Sequence, residues 1–249
     1  MAVEILLAFL LIAALAGYFQ TVTGFGLGLI VMGATSGLGI ASVASVAAVV
    51  SLMTLMNCLV ALPGRLQHID WPSARAAAVG IVPMIVLGVL LLDYLSGRAT
   101  TLLSLLLGLV ILYGGASLMF QPSRQQQLSS PRSFALFGGL SGLLGGLFGI
   151  AGPPLIYHCY RQPIELVRIR NLLILLFAVT SGMRTLFVTV QGQMNAEILW
   201  LTAWSMPVIA IATYTGRRFP LPFSSLAVRR IAFVVLVMIG VSLIVSTLA

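Results

Sequence analysis

Two glycine-rich stretches hold the residues with the clearest chemical potential in this chain. They are Thr23-Gly24-Phe25-Gly26-Leu27-Gly28 and Phe148-Gly149-Ile150-Ala151-Gly152-Pro153-Pro154. Each stretch interrupts an apolar run, and a new apolar segment begins directly after it. The start of a helix has free N–H groups and the positive end of the helix dipole, and both attract anions. The pattern therefore predicts that the two stretches together form the binding site of a small anion.

Two neutral side chains, Gln20 and Thr23, lie just before the first break and can add hydrogen bonds to an anion. Proline is favoured at the first position of a helix, so Pro153 and Pro154 mark the start after the second break. An alternative is that the glycines only allow helices to pack closely in a membrane. The adjacent prolines favour the binding site, because they serve packing poorly.

Three other side chains could take part. Arg184 lies in an otherwise apolar run, and it either faces the substrate path or snorkels to the outer interface. His158 is the titratable group near the second break, suited to proton coupling or to packing. Cys159 could contact a sulfur compound, or it is an inert buried thiol. For Asn57 and Asn171 we expect hydrogen bonds between helices.

The acidic residues exclude several classes of protein. All five lie in loops or at the ends of the apolar segments: Glu4, Asp70, Asp93, Glu165 and Glu197. A proton relay or a cation site built on buried carboxylates is therefore not expected. The sequence has no metal-ligand cluster, no G-x-S-x-G motif and no P-loop lysine. We expect no metal, no cofactor and neither an enzyme nor an ATP-driven pump.

The composition places these residues in a membrane. The chain is 60% hydrophobic and 7% charged, and its mean hydropathy is +1.13. Soluble domains carry about 25% charged residues, so we expect a polytopic helical membrane protein. About 20 apolar residues span a bilayer, so six segments are predicted crossings and four are shorter arms beside the breaks. The segments cover residues 5–22, 29–38, 41–62, 74–92, 100–120, 134–147, 154–160, 168–190, 196–214 and 228–248.

Landmarks in the two halves recur at a nearly constant offset, which indicates a duplication. Phe25-Gly26 corresponds to Phe148-Gly149, and Pro83 corresponds to Pro207. Each repeat is predicted to be a broken helical hairpin followed by three transmembrane helices. The repeats cover residues 1–120 and 134–249, and residues 121–133 form the linker. The predicted fold is thus an all-α membrane protein of two repeats in a single domain.

The basic residues predict the topology. The net charge is +8, and all thirteen basic residues are arginines near helix ends. This is the signal of a membrane protein, not of nucleic-acid binding. If each broken segment crossed once, the loops would split eight arginines against four. If each returns to its starting side, one face keeps only Arg98, as the positive-inside rule expects, so we predict two inverted repeats with both termini outside. The opposite face then collects Arg65, Arg75, Arg124, Arg132, Arg161, Arg168, Arg170, Arg217, Arg218, Arg229 and Arg230.

The chain resembles the sulfite exporter TauE/SafE family over nearly its whole length. The resemblance rests on the duplication, on Gly24-Phe25-Gly26-Leu27-Gly28 and on the run from Gly142 to Pro154. It implies a multi-pass permease of the bacterial inner membrane that carries sulfite, sulfonates or related organic anions, usually outward. It does not supply the binding residues.

The sequence therefore predicts a secondary transporter that moves a small anion by alternating access at the two breaks. Its partners would be that anion and membrane lipid, with a homodimer as a further option and the coupling ion unassigned. The alternatives are an uptake carrier for thiosulfate that uses Cys159, a channel for a small solute, and an assembly subunit.

Overall fold

The computed structural model describes residues 3–37, 41–64, 66–119, 124–150, 152–219 and 225–248. The side chains of Arg65, Arg229 and Arg230, which the topology prediction counts, lie outside this description. Within them the chain forms ten α-helices and no strand, which confirms the all-α prediction. The helices are α1 (Val3–Thr23), α2 (Leu27–Gly37), α3 (Val43–Ala61), α4 (Trp71–Arg98), α5 (Thr100–Met119), α6 (Pro131–Phe148), α7 (Pro153–Tyr160), α8 (Leu166–Val190), α9 (Ala196–Arg218) and α10 (Ser225–Leu248).

Local signals set where several helices begin. The Ser42 hydroxyl accepts a hydrogen bond from the N–H of Ser45 at the start of α3. Asn195 caps α9 in the same way through Ile198. Ser130 caps α6, so this helix begins before residue 134, the predicted start. Such caps satisfy N–H groups that lack an intrahelical partner.

Five helices of the described part are long and apolar enough to cross a membrane: α1, α3, α4, α8 and α9. The described parts of α2, α5 and α10 form shorter apolar helices. The inclusion of α1 corrects the prediction that it is one of the shorter arms. Its 21 residues reach about 31 Å at 1.5 Å per residue, so the two arms of the first hairpin differ in length.

Side-chain contacts define two ends of the helix bundle. At one end the Asp93 carboxylate accepts a hydrogen bond of 3.1 Å from Gln193, and Ser45 donates to Glu197 at 3.3 Å. We call this the arginine-poor end. At the opposite, arginine-rich end, Arg217 donates to the Val60 carbonyl. The first end joins the α3 and α9 starts to the end of α4, and the second joins the α3 and α9 ends.

The second broken segment returns to the end from which it starts. The N–H of Gln125, just before α6, donates to the Arg161 carbonyl at 2.7 Å, just after α7. The ring of Phe137, early in α6, stacks on His158 near the end of α7, with centroids 4.4 Å apart. The segment α6–α7 is thus a hairpin that begins and ends at the arginine-rich end.

The first broken segment does the same from the opposite end. α1 runs parallel to α9, because Gly17 lies beside Ile209 and Thr21 lies beside Gly216. The Tyr18 hydroxyl also donates to the Phe219 carbonyl at 2.7 Å. Since α9 begins at the arginine-poor end, α1 begins there too. α2 then leads back toward the start of α3 at that same end.

Packing pairs helices across the two halves of the chain. α1 packs on α9, α6 packs on α4, α3 packs on α8, and α5 packs on α10. The seam between α4 and α6 is made of small residues, because Gly138, Gly142 and Gly146 lie against the backbone of α4. A Cβ atom on Gly142 would lie 2.6 Å from the Ile81 carbonyl oxygen. That seam holds the long arm of the second hairpin.

Candidate anion-binding site

The two breaks meet inside the bundle. A Cβ atom on Gly28 would lie 3.1 Å from the Gly149 carbonyl oxygen and 3.4 Å from the Ile150 Cα. Gly26 and Gly149 have φ angles of +111° and +67°, which side-chain-bearing residues rarely adopt. Glycine therefore serves both the sharp turns and the close approach of the two backbones.

A small central cavity lies where the breaks meet, between α3 and α8. Its volume is about 20 Å³, which is room for a single water molecule. An anion larger than a water molecule does not fit this volume. The cavity is lined by Gln20, Gly26, Gly28, Leu29, Thr54, Gly149, Ile150, Gly152, Ile156, Phe177 and Ser181.

The polar side chains of the first break bind their own hairpin and the neighbouring helix α3. The Gln20 Oε1 accepts a hydrogen bond of 3.2 Å from the N–H of Leu27, and its Nε2 donates to Asn57 at 3.0 Å. The Thr23 hydroxyl donates to backbone carbonyls of the same hairpin. Of the first turn of α2, the N–H groups of Gly28 and Leu29 lack an intrahelical partner. Both residues line the central cavity.

The second break supplies fewer donors than expected. α7 begins at Pro153 and continues with Pro154, and neither residue has an N–H group. Gly152, the cap, has no side chain to replace them. Of the first three positions of α7, only Leu155 has an N–H group. The start of α7 therefore offers fewer N–H groups than the start of α2, and the donors concentrate on the first hairpin.

The two asparagines differ. The Asn57 amide donates to Thr213 at 2.7 Å and to Thr21 at 2.9 Å, which confirms its predicted bonds between helices. Asn171 is buried, and neither its amide nitrogen nor its amide oxygen has a partner within the described chain. The same prediction is wrong for Asn171, because none of the described polar groups lies within hydrogen-bonding distance of its amide.

The histidine lies away from the central cavity. Its ring is buried between Phe134, 4.7 Å away in an edge-to-face contact, and Phe137. The contacts of His158 are those of a packing residue. Cys159 is buried as a free thiol and does not line the cavity. Other predicted site residues also lie outside the cavity, in the surrounding core: Thr23, Gly24, Phe25, Phe148, Pro153 and Pro154.

Arg184 is buried, with 1% of its side chain exposed. Its Nε donates to the Gly146 carbonyl at 3.1 Å, and its Nη1 lies 3.5 Å from the Ser51 hydroxyl. The alternative that it snorkels to the interface is therefore wrong. Arg184 does not line the central cavity either. It lines a second cavity of about 240 Å³ at the arginine-poor end.

Comparison with known proteins connects this arrangement to a family. Residues 9–243 match the family described as Sulfite exporter TauE/SafE. The chain belongs to this family. It is 56% identical over 246 residues to the probable sulfite/organosulfonate exporter TauE of Cupriavidus necator, covering 98% of this chain and 96% of that protein. No solved structure matches the chain. The chain is thus a multi-pass membrane transporter of the TauE/SafE family, and not an enzyme.

Two hydroxyl residues of this TauE/SafE member escaped the sequence analysis. Thr54 in α3 and Ser181 in α8 are buried and line the central cavity, and neither hydroxyl has a hydrogen-bond partner among the described residues. A signal was available. Ser181 and Arg184 are three residues apart and share one face of an apolar helix, as do Ser51 and Thr54.

Proposed function

We propose that this chain exports sulfite or an organosulfonate across the bacterial inner membrane by alternating access. The observation that carries the proposal is the meeting of two broken hairpins at Gly28 and Gly149, with unpartnered hydroxyls beside them. Broken hairpins of this kind form the substrate sites of many secondary transporters. The printed name of the relative supports the substrate class, because the two chains are 56% identical over nearly their full lengths.

The proposed site binds an oxyanion with neutral donors. The N–H groups of Gly28 and Leu29 and the hydroxyls of Thr54 and Ser181 belong to residues that line one cavity, and no acidic side chain lines it. A bound oxyanion accepts several hydrogen bonds there, and bonds to a charged acceptor are the stronger kind. An anion bound by neutral donors also dissociates more readily than one held in a buried salt bridge, because breaking such a bridge leaves an unpaired buried charge.

The proposed transport cycle depends on the two halves being inverted repeats, which cover residues 1–120 and 134–249 around the linker 121–133. The exchanged packing supports this relation: α1 lies on α9 as α6 lies on α4. Inverted repeats make the two access states near mirror images, so small movements of the hairpins open the site to one side and then the other. We propose that exposed leucines of α1, such as Leu7, contact lipid. The homodimer stays a prediction.

Transport in proteoliposomes tests the function. We expect saturable flux of sulfite and of ethanesulfonate, with counterflow when the trans side is preloaded. The control is the Gly149→Leu variant, which should remain folded but inactive. Absence of flux in the parental protein would refute the proposal. Flux without saturation or counterflow would favour the channel, and accumulation of the anion inside intact cells would favour the uptake carrier.

We further propose that the arginine-rich end faces the cytoplasm and that both termini face outward, following the positive-inside rule. Two exposed positions provide matched probes: Thr100 at the arginine-poor end and Gln126 in the linker. The native cysteines are buried and can be replaced by alanine. A membrane-impermeant thiol reagent should label Thr100→Cys and spare Gln126→Cys in intact cells. The reverse pattern would overturn this orientation.

A further inference from the structure

The second cavity is larger and more polar in its surroundings than the central one. It measures about 240 Å³ and lies between α3, α4, α8 and α9 at the arginine-poor end. We call it the vestibule. Its polar lining includes Ser45, Asp93, Arg184, Gln193 and Asn195. Nothing in the proposed transport site at the breaks uses these residues.

Arg184 is the feature that points to a ligand. A guanidinium group has five N–H donors, yet this one makes two hydrogen bonds, to Gly146 and Ser51. No carboxylate of the described residues lies within 4 Å of it. Asp93 lines the same cavity and interacts electrostatically with Arg184, but a buried cation without a carboxylate in direct contact is still unfavourable. In a membrane protein such a residue marks an ion or substrate pathway.

The position of the guanidinium connects the vestibule to the breaks. Gly146 lies one turn before Gly149 in the long arm of the second hairpin, and its carbonyl accepts the Nε bond at 3.1 Å. Ser181, on the central cavity, lies one turn before Arg184 on the same face of α8. An anion that leaves the central cavity toward the arginine-poor end therefore meets Arg184 next.

Asp93 lies in the same vestibule and opposes tight binding. Its carboxylate accepts hydrogen bonds from Gln193 at 3.1 Å and from Gln191 at 3.4 Å, which hold it in place. A negative charge in the vestibule repels an anion bound at Arg184. Conduction requires sites that attract an ion enough for it to enter and still let it leave.

We propose that the vestibule is a second, low-affinity anion site, in which Arg184 binds the oxyanion of sulfite or a sulfonate and Asp93 keeps its residence short. The proposal rests on the proposed transport function and adds a second binding site on the path by which the anion leaves. The substrate passes from the neutral donors at the breaks to a single cation, and from there to the medium. This two-step path separates recognition at the breaks from release at the vestibule.

Thiol chemistry at the vestibule tests the proposal. The parental protein carries Cys58→Ala and Cys159→Ala, and Gln193→Cys places a thiol in the vestibule lining. Thr100→Cys, exposed at the same end, is the matched control. We compare the modification rates of an anionic and a cationic methanethiosulfonate reagent of similar size, in purified full-length protein. Because a nearby cation attracts the anionic reagent, the ratio of the anionic to the cationic modification rate should be about tenfold higher at Gln193→Cys than at Thr100→Cys.

Protection by ethanesulfonate gives the second readout. Ethanesulfonate should slow the modification of Gln193→Cys in proteins with the native Arg184 or with Arg184→Lys. It should not slow this modification in proteins with Arg184→Gln. Asp93→Asn should lower the concentration needed for protection several-fold. Equal protection with Arg184→Gln would overturn the proposal. So would a lack of both protection and reagent preference in a parental protein that still transports sulfite. A parental protein that transports neither anion would instead refute the proposed function.

Discussion

The two hairpins stabilise their breaks by opposite means. In the first, side chains satisfy the backbone: Gln20 caps the start of α2 through Leu27, and Thr23 bonds the carbonyls around the turn. In the second, small residues let the backbone pack closely. Glycines and prolines occupy most of the break, and α6 lies against α4 through its glycines. The first break depends on the hydrogen bonds of its polar side chains, and the second depends on glycines that have no side chain.

The difference indicates a division of labour. The first break keeps free N–H groups at Gly28 and Leu29, so it contributes donors to the anion. The second break has lost N–H groups to Pro153 and Pro154, so it contributes shape and close approach. We therefore expect changes in the second hairpin to act through steric fit and changes in the first to act through hydrogen bonds.

The largest effect is expected in the seam of the second hairpin. Gly142→Ala places a Cβ atom 2.6 Å from the Ile81 carbonyl oxygen, so α6 must move away from α4. Overpacking of this kind costs about 1–3 kcal/mol. The control is Gly182→Ala, whose Cβ atom meets only a Leu55 methyl group at 3.8 Å. Thermal unfolding of the purified proteins should show destabilisation for Gly142→Ala alone. Equal melting temperatures for the two variants would contradict the idea that the seam between α4 and α6 requires glycine.

The next effect concerns the second break itself. Gly149 and Gly192 have nearly the same φ, +67° and +70°. A Cβ atom on Gly149 would lie 2.7 Å from the Ala47 carbonyl oxygen, whereas one on Gly192 would meet no atom within 4 Å. Both alanine variants carry strain of about 1–2 kcal/mol. We expect Gly149→Ala to lose most sulfite flux, while Gly192→Ala keeps it. Flux is measured in proteoliposomes at matched protein content. Similar flux in both would show that the close approach at Gly149 is dispensable.

A smaller effect tests the hydrogen bonds of the first break. A double-mutant cycle of Gln20→Met and Asn57→Leu measures the coupling between these two side chains. Hydrogen bonds between membrane helices contribute about 0.6–2 kcal/mol, so we expect coupling in that range for the free energy of unfolding in mixed micelles. Additive effects of the two substitutions would mean that the bond between Gln20 and Asn57 does not stabilise the hairpin.

The smallest effect should come from a hydroxyl at the central cavity. Ser181→Ala removes a donor to the anion and should weaken ethanesulfonate binding about two- to tenfold, the contribution of one hydrogen bond. Thr180→Val is the neighbouring control, because the Thr180 hydroxyl donates to the Leu176 carbonyl at 2.8 Å and lies outside the cavity. A titration in which both variants bind like the parental protein would remove Ser181 from the site.

The order of helices and both breaks could be predicted, because apolar runs, glycines and prolines act locally. The hydrogen-bond partner of a buried polar side chain could not be predicted from the sequence. Gln20 turns toward its own hairpin because the N–H of Leu27 comes within reach only after the chain folds back. The asparagines make the same point. Asn57 meets Thr21 and Thr213 from two other helices, while Asn171 meets no polar group in the described chain.

The location of Arg184 also depended on tertiary structure. Its distance from the helix end is compatible with the interface, and the sequence alone left that alternative open. The contact with α6 decides against it, because the Gly146 carbonyl accepts a hydrogen bond from the guanidinium Nε. A pattern on one helix cannot reveal a carbonyl offered by another.

The pairing of α1 with α9 has a consequence for how the protein is made. Gly17 lies beside Ile209, so α1 packs on a helix that follows nearly two hundred residues later. At about 5–20 residues per second, translation of that interval takes about 10–40 s. During this time α1 must wait in the bilayer without its final neighbour. The N-terminal half therefore cannot complete its packing until α9 has entered the membrane.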